Sequence, residues 1–358
     1  MRNFSEKGAA GILSKRINSI SKNLEETKIM HVCGTHEDTI TRFGIRSLLP
    51  KNVELVSGPG CPVCVTTQRE VDEAISLAGE GITITTFGDM LNVPGSNGSL
   101  ADAKADGSDV RVVYSVTDSA DAARKNPKMD FVHVAIGFET TAPTTAIEIS
   151  NAPDNFSILS CHRLIPPAMD FLLKSGDVNI DGFINPGHVS AIIGVKPYEP
   201  ISRRYGIPQV ISGFEPLDVL LSVSLLLDMI RRKEKKVMNE YSRVVHYEGN
   251  TRALKAIRNV FEPCDLEWRG FPEIPDSGLR LRKEFSGYDA RQKFDIKTKK
   301  TKEQDNCMCG EVLKGKIPPE KCRLFARACS PGHPIGPCRV SKEGACGIAY
   351  RYRNEGRN

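Results

Sequence analysis

The sequence has no uninterrupted apolar run long enough to cross a bilayer. The longest apolar-rich stretch, Leu217 to Ile230, is interrupted by Asp218 and Asp228 and reads as a core helix. Charge of one sign is also lacking: 49 Lys and Arg face 44 Asp and Glu, a formal +5. That is too mild a balance to predict a nucleic-acid face. A secretory leader is not expected, because Arg2, Glu6, Lys7, Lys15 and Arg16 scatter charge where a signal peptide would have an apolar run. The Walker pattern, the dinucleotide glycine fingerprint, the Gly-x-Ser-x-Gly elbow and the radical-enzyme cysteine triad are all missing. So is any internal repeat of fixed period. These absences predict a cytoplasmic protein with neither membrane nor nucleic acid as partner. At 358 residues it should hold two or three domains.

Cysteine is plentiful, with 11 in the chain. In a cytoplasmic protein such thiols point to metal or redox chemistry before structural disulfides. Three are early (Cys33, Cys61, Cys64), two are isolated (Cys161, Cys264), and six crowd the C-terminal stretch. Those six run Cys307-x-Cys309-x12-Cys322-x6-Cys329-x8-Cys338-x7-Cys346. The gaps match no ferredoxin or zinc-ribbon pattern. One tetrahedral ion needs fewer thiols; a four-cysteine [4Fe–4S] cluster plus a spare pair accounts for all six. A structural zinc with four thiolates stands as the alternative, and His333 could replace one ligand in either.

Between about Lys28 and Lys236, β-rich runs alternate with helical ones, the pattern of βα units on parallel sheet. Expected strands are Ile29–Val32, Val53–Ser57 and Ile82–Thr86 in one set. A second set is Val110–Ser115, Phe131–Ile136, Phe156–Leu159, Gly182–Ile184 and Gln209–Ile211. Helices are expected over Glu37–Ser47, Thr67–Ala78, Asp118–Lys125, Thr144–Ile149, Pro167–Lys174 and Glu215–Lys236, the last ending in a run of cations that suits a helix C-terminus. The fold class is therefore α/β: two Rossmann-like βα domains plus an irregular cysteine-rich C-terminal domain. The first domain is placed at 14–100, completed by 213–236, the second at 105–212. The third covers 240–358, with 1–13 packed on it.

Cys33 directly follows a strand and precedes Gly34-Thr35-His36-Glu37, where a helix begins. Ligand sites in parallel sheets gather beyond the carboxyl ends of strands, and a helix N-terminus lowers a thiol pKa. His36 is a second ligand or proton handler in that setting; the alternative is a buried structural Cys with His36 on the surface. Gly58-Pro-Gly-Cys61-Pro-Val-Cys64 also follows a strand and opens a helix. Cys-x-x-Cys there suits a reversible disulfide, with half a zinc site as the alternative. If both strands share a sheet, Cys33, Cys61 and Cys64 share a crevice. Glu139 and Thr140 in Gly137-Phe-Glu-Thr-Thr-Ala-Pro143, and His188 in Pro186-Gly-His-Val-Ser190, have the same strand-then-helix placement. They are cleft candidates or, equally, capped turns. Cys161 and Cys264 read as inert.

Six motifs in one order complete the pattern: Cys33-Gly-Thr-His36-Glu37, Gly58-Pro-Gly-Cys61-Pro-Val-Cys64, Thr86-Phe-Gly-Asp89-Met, Gly137-Phe-Glu-Thr-Thr-Ala-Pro143, Asn185-Pro-Gly-His188-Val-Ser, and the cysteine set ending Glu343-Gly-Ala-Cys346. Nearly end to end, the chain resembles the HypD family of hydrogenase maturation factors. The resemblance implies a monomeric three-domain iron–sulfur protein, a metal-centre assembly scaffold with redox activity. Such a protein helps HypC and HypE build the Fe(CN)2CO unit of [NiFe]-hydrogenases. Carried onto this chain, it makes Cys33 the iron ligand, with His36 close by, and Cys61 and Cys64 a redox pair. Cys322, Cys329, Cys338 and Cys346 become cluster ligands, with Cys307 and Cys309 as auxiliary thiols that could exchange with one of them. Electrons would pass from the cluster through thiols to Cys33. The competing readings are a free-standing iron–sulfur thiol/disulfide oxidoreductase, and a small-molecule α/β enzyme with structural zinc.

Overall fold

The computed structural model describes residues 2–296 and 306–353; residues 297–305 and 354–358 of the expected C-terminal domain lie outside them. The strands are β1 (Thr27–His31), β2 (Val53–Ser57), β3 (Thr83–Thr86), β4 (Val110–Val112), β5 (Phe131–Gly137) and β6 (Phe156–His162), then β7 (Gly182–Pro186), β8 (Gln209–Ser212), β9 (Val237–Asn239), β10 (Phe261–Glu267) and β11 (Glu273–Leu281). Among the described residues they form a five-stranded sheet in the order β2-β1-β7-β8-β9, a four-stranded sheet in the order β4-β3-β5-β6, and the hairpin β10-β11. Every pairing in the two larger sheets is parallel. β5 and β6 are buried at every position. Helices cover both faces of such a sheet, and its strands read as continuous apolar runs without alternation.

The α/β class is as expected, but the strands divide between the sheets differently. The strand at Thr83–Thr86, grouped with β1 and β2 from the sequence, pairs with β4 and β5; β7 and β8, grouped with the later strands, pair into the first sheet beside β1. Local periodicity marks βα units without saying which strands become neighbours. The N-terminal helix Arg2–Ser21 packs on the helix Pro216–Arg231. There Ala10, Leu13, Ile17 and Ile20 join Val219, Leu220, Val223 and Leu227 in one apolar cluster. Burying each large aliphatic side chain contributes about 1.5–3 kcal/mol, so this face decides where the helix goes.

Two helices end earlier than expected. Gly44, in left-handed conformation at φ 61°, separates the helix Gly34–Arg42 from a 3₁₀ turn at Ile45–Leu48. The helix Pro216–Arg231 stops before most of its cation run, because Lys233 is left-handed and β9 follows. The texture change after Phe261 hid a regular hairpin, β10–β11. No helix among the described residues is long and apolar enough to cross a membrane.

Strand order explains where the motifs fall. From β1 the first sheet grows to β2 on one side and to β7 on the other. In the second sheet β3 lies between β4 and β5 in the same manner. Crevices open beyond the carboxyl ends of strands at such reversals. The segments carrying Cys33 and His188 leave β1 and β7; those carrying Asp89 and Glu139 leave β3 and β5.

Candidate active site: a thiol crevice and a six-cysteine cavity

β1 and β2 run in parallel register with His31 opposite Ser57, so the loops after them emerge side by side. Cys33 ends the first as the N-cap of the helix Gly34–Arg42. Cys61 ends the second as the N-cap of the short helix Pro62–Val65, and its Sγ is bonded to Cys64 in a disulfide. The two loops are in contact: the Gly34 amide donates to the Gly60 carbonyl at 3.0 Å. A Cβ on Gly60 would overlap the backbone of Val32 and Cys33, so the approach requires glycine there.

Cys33 does not carry the lowered pKa that its helix position suggests. Burial, seconded by Glu343, pushes the thiol up to about 12, against the lowering effect of the His36 and Thr35 amides. Desolvation of the charged form outweighs these hydrogen bonds and that of the Thr35 side chain. His36 is fully buried, not on the surface, and burial together with His31 lowers its pKa to about 3. Its Nε2 lies 2.9 Å from the Gly213 carbonyl. A carbonyl only accepts, so Nε2 holds the proton and Nδ1, which has no partner, keeps a bare lone pair.

Below this pair, His31 Nε2 meets Glu37 Oε2 at 2.7 Å and His31 Nδ1 lies 3.2 Å from the Cys33 carbonyl. Arg46 Nη2 donates to the same Glu37 oxygen at 2.6 Å. Burial alone would raise the Glu37 pKa; Arg46 and His31 outweigh it and hold the carboxyl well below the usual range. The network anchors the first turn of the helix behind Cys33.

A C-terminal strap covers the crevice. Thr35 Oγ1 donates to Glu343 Oε1 at 3.3 Å, and a Cβ on Gly34 would overlap Glu343. Ser341 Oγ and the Lys342 amide both donate to Asp89 Oδ2 at 3.0 Å. Asp89 and Glu343 belong to motifs quoted above, yet neither was singled out: each acts across more than 250 residues of chain, which spacing does not reveal. Burial raises the Glu343 pKa, and Asp89 adds to the shift.

His188 is exposed and stacks on Phe214 at 3.9 Å between ring centroids; Phe214 in turn lies 5.1 Å from the His36 ring. That puts His188 at the edge of the Cys33 crevice. Glu139 and Thr140 belong to the second sheet instead. Glu139 Oε1 accepts from the Ile165 amide at 3.1 Å, and burial pushes its carboxyl up to about 8. Thr140 is exposed. Cys161 and Cys264 lie on β6 and β10.

Cys307, Cys309, Cys322, Cys329, Cys338 and Cys346 all line one small cavity with Leu324, Phe325, Gly336 and Arg339. Cys309 and Cys338 are in sulfur contact at 2.7 Å. Arg339, which the sequence reading passed over, is buried and ties the cavity wall together. Its Nη1 donates to the Cys346 carbonyl at 2.8 Å and its Nη2 to the Cys329 carbonyl at 3.1 Å, with its guanidinium 3.8 Å from the Tyr350 ring centroid. The cavity lining holds no carboxylate and no imidazole, only soft thiols as donors, which suits iron–sulfur or zinc chemistry. Among the described residues, no three His, Cys, Asp or Glu converge where a single ion could be held. The helix Pro337–Val340, which carries Cys338, packs on the helix Pro62–Val65 of the disulfide, and Ala345–Arg351 packs on Gly34–Arg42. Cavity and crevice are therefore neighbours.

The hydrogenase formation hypA family, HypD, matches residues 9–353. A chain of Methanocaldococcus jannaschii named as a hydrogenase expression/formation protein is 48% identical over 342 residues, covering 94% of this chain and 95% of its own length. The hydrogenase maturation factor HypD of Cupriavidus necator is 45% identical over 336 residues, covering 90% and 89%. That of Azotobacter vinelandii is 41% identical over 361 residues, covering 98% and 95%.

Proposed function

The chain belongs to the HypD family of hydrogenase maturation factors, and from that premise we propose that it is the iron-holding, redox-active scaffold on which, with HypC and HypE, the Fe(CN)2CO unit is assembled. One observation carries the reading: the Cys33 thiol and the Cys61–Cys64 disulfide share a crevice, and the six-thiol cavity packs against the disulfide's helix.

Cys33 is the ligand for the incoming iron, and His36 Nδ1 offers a bare lone pair in the same crevice. Burial keeps the Cys33 thiol protonated, with a pKa of about 12, until a metal cation displaces the proton. Glu343, hydrogen-bonded one residue past Gly34 and lifted by burial above the usual carboxylate range, is placed to receive it. Reduction of Cys61–Cys64 takes two electrons and two protons and gives two thiols, and the neighbouring cavity is where those electrons arrive. A [4Fe–4S] cluster there would supply single electrons.

Four of the six thiols would hold it. The family resemblance gives that role to Cys322, Cys329, Cys338 and Cys346 and leaves Cys307 and Cys309 as auxiliary thiols; the contact between Cys309 and Cys338 joins the two groups.

Anaerobic purification with iron, zinc and sulfide analysis tests the reading. About four irons and matching sulfide per chain are expected. Cys33→Ala should keep them and lose the cyanide and CO infrared bands of the HypC complex. Cys61→Ser should keep them and abolish maturation. One zinc without sulfide, or normal maturation by Cys61→Ser, removes the redox half of the proposal.

A further inference from the structure

The surface beside the six-cysteine cavity is charged in an unusual way. Lys321, Arg323, Arg327 and Arg353 line a hollow of about 580 Å³ together with Cys322 and Phe325; its one acid is Glu320, so the hollow has an excess of three positive charges. All four cations are exposed. None of them makes an ion pair among the described residues. Several exposed arginines elsewhere are neutralised, as Arg204 by Asp170, Arg243 by Asp218 and Arg280 by Glu262. Unpaired like charges held together repel one another, a cost that an anionic partner would remove.

The hollow also has a second property. Cys322 and Phe325 line both it and the six-cysteine cavity, so a wall one residue thick separates solvent from the thiols. We propose that this basic hollow is the docking face of an acidic one-electron carrier protein of the ferredoxin type, delivering electrons to the thiol-bound centre through the Cys322–Phe325 wall. This rests on the redox reading above and names the source that reading lacks. Each encounter moves one electron, the carrier's iron going from ferrous to ferric; two encounters and two protons from solvent convert one disulfide to two thiols. A carrier must bind, discharge and leave, and small, charge-steered interfaces suit that cycle. A nucleic acid would call for an extended basic stripe, whereas these cations ring one compact hollow.

The test uses the full chain, purified anaerobically, and a reduced, strongly acidic [2Fe–2S] ferredoxin as probe. Binding is read by calorimetry, and electron transfer by stopped-flow absorbance. Arg323→Glu/Arg327→Glu should slow reduction by ferredoxin at least tenfold at low ionic strength and weaken binding in parallel. Salt should slow the parent protein in the same way. Reduction by methyl viologen, a small cation, should be no slower in the variant. Lys125→Glu/Arg252→Glu, with the same change in net charge at exposed positions elsewhere, should match the parent in both assays. Equal ferredoxin rates in the parent and Arg323→Glu/Arg327→Glu overturn the proposal, as does a hollow that binds duplex DNA and no ferredoxin. Iron and sulfide analysis keeps the two readings apart. If no cluster is present, the redox reading fails by itself, and calorimetry still decides whether the hollow binds the carrier.

Discussion

Replacing Glu70 by Gln should destabilise the protein by about 3–5 kcal/mol, the usual cost of breaking a buried ion pair from one side. Glu70 lies in the first turn of the helix Gln68–Gly79, just beyond the Cys61–Cys64 loop, and Arg163 follows β6 of the second sheet. Both side chains are buried. Arg163 Nη2 donates to Glu70 Oε2 at 2.6 Å and Nη1 to Oε1 at 3.2 Å, with further bonds to the Glu267 and Cys161 carbonyls at 2.9 Å each. Gln keeps the shape and an acceptor for the Thr67 amide, which now donates to Glu70 at 2.8 Å. It removes the charge, however, and Arg163 cannot shed its proton, leaving an uncompensated buried cation. Urea unfolding at constant m gives the difference from the midpoint shift.

The pH dependence has a definite sign. Burial raises the Glu70 pKa, but Arg163 and Arg291 outweigh it and hold the carboxyl below the ordinary value. A folded pKa below the unfolded one, which is about 4.3, gives stability that is complete above that pH and lost as pH falls through the folded value. The gap between parent and Glu70→Gln should therefore stay constant from pH 8 to 5 and narrow below about pH 4. A gap under 1 kcal/mol at pH 7, or one that widens on acidification, would refute the argument.

Two other outcomes follow from the crevice. In metal-free protein, Cys33 should react with iodoacetamide at pH 8 roughly a thousandfold more slowly than a free thiol of pKa about 8.5, because burial and Glu343 push it to about 12. The rate should climb tenfold per pH unit to pH 10; a rise of only about threefold from pH 8 to 9, levelling off above that, would show an unshifted thiol. Gly60→Ala should cost about 3 kcal/mol through backbone overlap with Val32 and Cys33. Mass-resolved alkylation of that variant should show Cys33 becoming more reactive as the loop is pushed aside, and unchanged stability with unchanged reactivity would count against the close approach.

Much of the fold and of the crevice is legible in the sequence. β-rich runs such as Phe131–Ile136 alternating with helical ones mark βα units, Gly-containing loops after the strands mark ligand ends, and the Cys-x-x-Cys between strand and helix suits the disulfide that the structure forms. Helix ends were less legible where a single left-handed residue such as Gly44 or Lys233 stops the pattern.

These features are local, so the chain writes them in the order they are used. Pairing is not local. That β7 lies beside β1, and β3 beside β5, depends on which apolar faces bury one another, and periodicity is silent on that. The same reason hid the strap on Asp89, Glu343 over Cys33, and Arg339 binding two cysteine carbonyls. Burial overturned the electrostatic expectation for Cys33: a helix N-terminus favours a thiolate, yet the cost of removing the thiolate from water is larger, and only tertiary packing sets that cost.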